Sequence, residues 1–213
     1  MKFRNSNLLY GIALLILSGI QVSACSRQED SSVETPYNEN PVIAERMARD
    51  ESFRSGRDSP IPIKDRNSFQ GLDYYPVNED LRFSVRLNRY SGPRQVRLAT
   101  NTGEIRSGLR YGFFEFIVEG ESCRLQVYRL EDDPGSGAPN LFIPFRDATS
   151  GIETYAPGRY IDLNENTSGI YELDFNRAYN PYCAYNNMYS CPLPPEENKL
   201  QVPIRAGEKK YSP

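Results

Sequence analysis

The chain has 213 residues, a formal charge of −3, four cysteines and fifteen tyrosines, and it contains neither histidine nor tryptophan. Without histidine there is no Ser-His-Asp or Cys-His catalysis, no His-ligated zinc or iron, and no side chain whose ordinary pKa suits proton transfer near neutrality. The 25 basic residues are interspersed with 28 acidic ones, which argues against a nucleic-acid partner, since phosphate backbones need a concentrated basic face.

Residues 1–24 read as a signal peptide: Lys2 and Arg4 give a basic start, Leu8 to Ile20 an apolar stretch, and Ser23-Ala24 the small residues before a cut. At about 1.5 Å per residue that stretch reaches roughly 20 Å, short of the ~30 Å hydrocarbon core. Val22-Ser23-Ala24-Cys25 resembles a lipobox, which implies acylation at Cys25. One acyl chain holds only marginally, so several are needed for a durable anchor. Ser26 stands where an aspartate would resemble an inner-membrane retention signal. The expected address is therefore the bacterial cell envelope, lipid-anchored in the outer membrane and facing the periplasm. Removing the signal leaves 189 residues with 23 basic and 28 acidic side chains, a net charge of −5. That length suits one domain.

Residues 25–40, rich in Ser, Glu, Asp and Asn, read as a lipidated flexible tether spanning roughly 20 Å as a coil. Residues 41–213 then form a single β-rich domain. Asn40-Pro41 predicts a helix start with Asn40 as cap, and Gly56 a stop. Ile43 and Met47 share one face, and Glu45 with Arg49 makes an i, i+4 pair. This helix either packs on the domain or belongs to the tether, and packing is the expectation. Leu81, Phe83, Val85 and Leu87 alternate with polar partners as a half-buried strand. Val96 and Leu98 lead to an Asn101-Thr102-Gly103 turn. Tyr111 to Val118 and Arg124 to Leu130 flank Glu119-Gly120-Glu121 as a β-hairpin. Further strands are expected at Leu141 to Phe145, Arg159 to Leu163 and Tyr171 to Phe175. From Tyr179 to Pro195, four prolines and four tyrosines predict a long loop wrapped over a sheet. Leu200, Val202 and Ile204 predict a short last strand. The fold class is mainly β: an antiparallel β-sandwich or barrel-like domain with a short N-terminal helix and a long Pro/Tyr-rich C-terminal loop.

With Cys25 assigned to lipid, three cysteines remain. Cys183 and Cys191, eight positions apart in an oxidising compartment, are the expected disulfide, and Cys123 is expected as a buried small hydrophobe.

Several stretches carry a family resemblance. Phe69-Gln70-Gly71-Leu72-Asp73-Tyr74-Tyr75-Pro76, Tyr111-Gly112, the run Phe145 to Tyr155 and Gly158-Arg159-Tyr160-Ile161-Asp162 resemble the bacterial domain-of-unknown-function family sixteen eighty-four. So do Asp174-Phe175-Asn176, Tyr179-Asn180-Pro181, Cys183-Ala184-Tyr185, Cys191 to Pro195 and Ala206-Gly207-Glu208-Lys209. The resemblance covers about residues 45 to 210 and implies no established activity.

Asp147, Glu153, Asp162 and Asp174, with Arg159, are the candidate catalytic residues, because two carboxylates in different environments can divide acid and base roles. Aspartates near Gly and Thr also fix turns, and Arg-Asp pairs lock loops, so the structural role competes. Calcium at Asp147, Thr149 and Glu153 lacks the spacing of an EF-hand loop; no metal and no cofactor are expected. Eight tyrosines lie from Tyr155 onward among several asparagines. Arg146, Tyr155, Tyr160, Asn176, Tyr179, Asn180, Tyr185 and Asn198 are the candidate ligand-binding residues, since aromatic faces give contact area and amides give orientation. Packing of these tyrosines beneath the proline-rich loop is the competing reading. The functional expectation is an envelope lipoprotein acting as a binding or structural module, its partners the membrane through the lipid and a periplasmic glycan or peptide. The alternative is a small carboxylate-dependent hydrolase acting on an envelope glycan or related substrate.

Overall fold

Among the described residues one α-helix precedes seven strands: α1 (Asn40–Ser55), β1 (Arg82–Arg86), β2 (Asn88–Ala99), β3 (Ile105–Val118), β4 (Glu121–Leu130), β5 (Asn140–Phe145), β6 (Arg159–Asn164) and β7 (Ile170–Asp174). The computed structural model describes residues 38–131 and 140–212, all within one compact unit. The expected signal peptide, Cys25 and the tether up to residue 37 lie outside the described residues. Among the described residues no helix is long and apolar enough to cross a membrane.

β2 to β6 form an antiparallel meander in sequence order, and β1 pairs with β7 in a second, two-stranded sheet. The chain crosses between sheets at both edges of the meander: Leu87 separates β1 from β2, and a short turn separates β6 from β7. The result is a sandwich, not a closed barrel. Between the sheets, Phe114, Leu125, Leu141, Ile143, Phe145, Leu173 and Phe175 are fully buried. Each such side chain contributes about 1.5–3 kcal/mol relative to an exposed one. The alternation at Leu81, Val85 and Leu87 supplies the inner face of β1 as expected.

The opposite face of the meander is also covered. Leu98, Tyr128, Phe142 and Tyr160 pack beneath the loop that carries Cys183 and Cys191. With both faces covered, β4 and β5 lose strict alternation: Leu125 through Tyr128 and Leu141 through Phe145 are buried without interruption. The β3–β4 hairpin turns on Glu119 (φ 51°) and Gly120 (φ 85°), the paired left-handed conformation of a two-residue type I′ turn.

β4 and β5 share only the pair Tyr128 with Phe142. Two residues along, Gln126 would face Pro144, which has no N–H to donate. The Asn198 amide takes that place. Its Oδ1 accepts from the Gln126 N–H at 2.7 Å, and its Nδ2 donates to the carbonyls of Gln126 (2.9 Å) and Pro144 (2.7 Å). Asn198→Ala strips three buried groups of their partner and is expected to cost about 2–4 kcal/mol, read as a lower urea midpoint. A loss below about 0.5 kcal/mol, the ordinary range of a surface change, would contradict this plug.

Four expectations are corrected. Leu200, Val202 and Ile204 are buried but form no strand, because their segment bonds on one side only to the turn after β5: Leu200 N–H to Arg146, and the Ala148 N–H to Val202. Asn40 is the first helical residue, not the cap; Asn38 Oδ1 accepts its N–H at 3.1 Å. The helix packs through Val42 and Phe53, while Ile43 and Met47 are exposed, and Glu45 pairs with Arg177, not Arg49. Cys183 and Cys191 are unbridged, as is Cys123. The sulfur of Cys191 accepts the Cys183 N–H at 3.3 Å, and that of Cys183 accepts from the Tyr155 hydroxyl at 3.7 Å. Hydrogen bonding from the Cys191 thiol draws Cys183 down to about 7, and the same contact pushes Cys191 up.

Candidate functional site

Positions 42, 46, 49 and 53 fall on one face of α1, at steps of four, three and four. Val42 and Phe53 bury the ends of that stripe, and two arginines fill its middle. Arg46 donates from Nη1 to the Tyr75 carbonyl (2.9 Å) and from Nη2 to the Asn176 carbonyl (3.1 Å), and its guanidinium lies 4.6 Å from the Tyr74 ring centre. Arg49 donates to the Asn180 carbonyl at 3.1 Å and lies over the rings of Phe53 (4.7 Å) and Tyr179 (4.9 Å). Its Nε is 3.6 Å from Glu208 Oε2. Opposite the helix, Arg177 pairs with Glu45 at 3.1 Å.

These groups enclose a cleft of about 230 Å³, lined by Val42, Arg46, Arg49, Tyr74, Arg177 and Tyr179 together with Glu45, Asn176 and Ala178. Three guanidinium groups and one carboxylate therefore line it, so it is electropositive. The Tyr74 hydroxyl is buried and has no hydrogen-bond partner among the described residues. Burial, and next the charge of Glu208, push that phenol up, so it stays a neutral donor. Glu208, fully buried, accepts from the Asn180 N–H (3.0 Å), from Asn180 Nδ2 (2.8 Å) and from the Tyr185 hydroxyl. Burial nevertheless holds its carboxyl above the ordinary value. Gly207 makes this approach possible: at φ 74°, a Cβ there would sit 2.5 Å from the Ala178 carbonyl.

Of the candidates read from the sequence, Asn176 and Tyr179 line the cleft, and Asn180 and Tyr185 stand behind it on Glu208. The carboxylates are each held by partners of their own. Asp147 pairs with Arg159 at 2.9 Å, both buried, and also accepts from the backbone N–H groups of Thr149 (2.8 Å) and Ile204 (3.1 Å). Glu153 accepts from the Tyr75 hydroxyl at 3.1 Å and pairs with Arg205; burial first, then this bond, push Tyr75 up to about 12. Asp162 accepts from the Tyr179 hydroxyl. Asp174 caps the turn after β7 by accepting from the Asn176 N–H at 2.9 Å, and Asn176 exchanges two bonds with the Asn78 backbone. Arg146 pairs with Glu196, and the Tyr160 hydroxyl donates to the Pro192 carbonyl. Tyr155 reaches Cys183, and Asn198 plugs the sheet. The described residues hold no group of three or more acidic or cysteine side chains gathered as a metal would need.

Sequence reasoning missed Arg46, Arg49, Tyr74 and Glu208. The helical stripe at 42, 46, 49 and 53 was the available signal for the arginines, but charge at its centre reads as a solvated face. The cleft offers charged donors and flat aromatic rings, the equipment of recognition.

The profile of a family described as "Protein of unknown function (DUF1684)" matches residues 67–209. The chain belongs to the DUF1684 family. A solved structure, the solution NMR structure of an uncharacterized protein of Haloarcula marismortui, is 36% identical, covers 80% of this chain and 93% of its own, and superposes with a TM-score of 0.63. No curated protein matches the chain. In this DUF1684 member the matched region supplies Tyr74, Asn176, Arg177, Tyr179 and Glu208, whereas α1, which brings Arg46 and Arg49, precedes it.

Proposed function

We propose that this DUF1684 member is a lipid-anchored envelope protein, attached through Cys25 and facing the periplasm, whose cleft under α1 binds the acidic group of a periplasmic glycan or peptide. The cleft carries the reading: three arginines line it, and the Tyr74 hydroxyl is a donor that the described residues leave unclaimed. The guanidinium charges suit a carboxylate, and the rings of Tyr74 and Tyr179 supply contact area beside it. The run Val22 to Cys25 supports the anchor.

Soluble muropeptides released by muramidase digestion are the probe. Tyr74→Phe deletes only the phenolic oxygen, so its thermal midpoint should match the wild type while affinity falls about tenfold, the loss of one hydrogen bond to a charged group. Equal affinities for the two proteins, or no binding by either, would remove the cleft from the proposal. For the anchor, radiolabelled palmitate should enter the wild type and be lost in Cys25→Ala. Label persisting in that variant would contradict the attachment site.

A further inference from the structure

Residues 82–110 hold seven arginines and a single acid, Glu104, in a chain of net charge −3. Arg82 pairs with Glu172 and Arg89 with Glu165. The side chain of Arg94, exposed on β2, makes no hydrogen bond or ion pair with the described residues. It nevertheless faces another arginine. Arg89 pairs with Gly112 and Arg94 with Arg110, so four residues of β2, Tyr90 to Pro93, stand against Tyr111 alone.

This bulge opens a hollow of about 270 Å³ lined by Tyr90, Ser91, Gly92, Arg94 and Arg110. Directly opposed residues of an antiparallel pair share one face with their Cβ atoms about 5 Å apart, where like charges repel. The fold braces the pair in place. Arg110 Nε donates to Gln126 Oε1 at 3.0 Å, and the same oxygen accepts from the Tyr90 hydroxyl at 2.8 Å; Gln126 is only 4% exposed. Glu197 lies 3.9 Å from Arg110 Nη2 and is shared with the Tyr128 hydroxyl. Charge on an edge strand discourages pairing with other chains, and that role explains an isolated arginine such as Arg97. It requires neither a second arginine opposite nor a buried glutamine to hold it.

We propose that the β2 bulge is an oxyanion site for a phosphate ester, separate from the cleft. Arg94 and Arg110 bracket the group from two strands, and Ser91 lies on the wall of the hollow. A carboxylate is satisfied by one guanidinium; two guanidinium groups on neighbouring strands suit the tetrahedral oxygens of a phosphate. The group comes either from a soluble phosphate ester or from a lipid headgroup.

The full chain carrying Cys25→Ser, followed by amide chemical shifts, is titrated with inorganic phosphate, and its co-sedimentation with phosphatidylglycerol vesicles is measured in parallel. Saturable shifts confined to the bulge and its β3 partner, weakened about ten- to a hundredfold by Arg94→Gln and unchanged by Arg97→Gln, are expected. Vesicle binding with the same dependence on Arg94, without a phosphate response, assigns the headgroup as source and supports the site. Absence of both responses, or equal losses in the two variants, would overturn it, since diffuse charge rather than the bulge would then be at work.

Discussion

Arg159→Met is expected to destabilise the domain by about 3–5 kcal/mol, because it strands the buried carboxylate of Asp147 without its counterion. The arginine does more than balance a charge. Its guanidinium donates to the carbonyls of Ile204 (2.8 Å), Ala206 and Glu208 (3.2 Å), and it lies 5.2 Å from the ring centre of Phe145. Removing it therefore orphans a charge and three backbone acceptors at once. Urea unfolding measures the loss as a lowered midpoint. Adding Asp147→Asn to Arg159→Met should restore part of the stability, since the stranded charge is gone, and the cycle then yields the coupling of the pair. A loss below about 1 kcal/mol in the single variant would place Arg159 in the energy range of surface pairs and reopen a ligand-directed role for it.

Glu208→Gln is the second large effect, about 1–3 kcal/mol at acid pH, because an amide NH2 would face the Asn180 and Tyr185 donors, and its size should change with pH. The folded-state carboxyl is held above its ordinary 4.5 by burial, even with Arg49, Tyr185 and Asn180 directed at it. A raised folded pKa means that the native protein binds this proton more tightly than the unfolded chain does. The stabilisation is complete below about 4.5 and is lost as pH rises through the folded value. Glutamine does not titrate, so the gap between wild type and variant should narrow toward neutrality. A gap that widens with pH would mean that the ionised form is the favoured one and that Arg49 outweighs burial. Equilibrium unfolding at a series of pH values distinguishes the two.

Strand periodicity made the meander legible in sequence. Leu81, Val85 and Leu87 keep period two because β1 has one covered face, and Glu119-Gly120 turns tightly because glycine admits left-handed φ. What stayed hidden depends on groups distant in sequence. Leu200 to Ile204 alternate like a strand, yet their backbone meets a turn on one side only. Cys183 and Cys191 have a spacing compatible with a bridge, but the same small, polarizable side chains serve as packing beneath a loop. The candidate asparagines were legible as important and not as to purpose: Asn198 replaces a ladder bond that Pro144 cannot make, and no local pattern says so. Arg49 and Glu208 stand far apart in the chain, and only the completed sandwich brings helix and tail together.

The closing position of residues 198–208 has a consequence for assembly. Asn198 completes the β4–β5 seam, the Ile204 to Glu208 carbonyls receive Arg159, and Glu208 receives Arg49 from the first helix. β1 likewise waits for β7, with Arg82 opposite Asp174. Such distant pairings must pay loop-closure entropy before any contact rewards them. A chain emerging from its N-terminus thus has no means of sealing the sandwich until residues 198–208 are free. Residues 198–208 work as the latch of the domain, and the sandwich stays open until they dock.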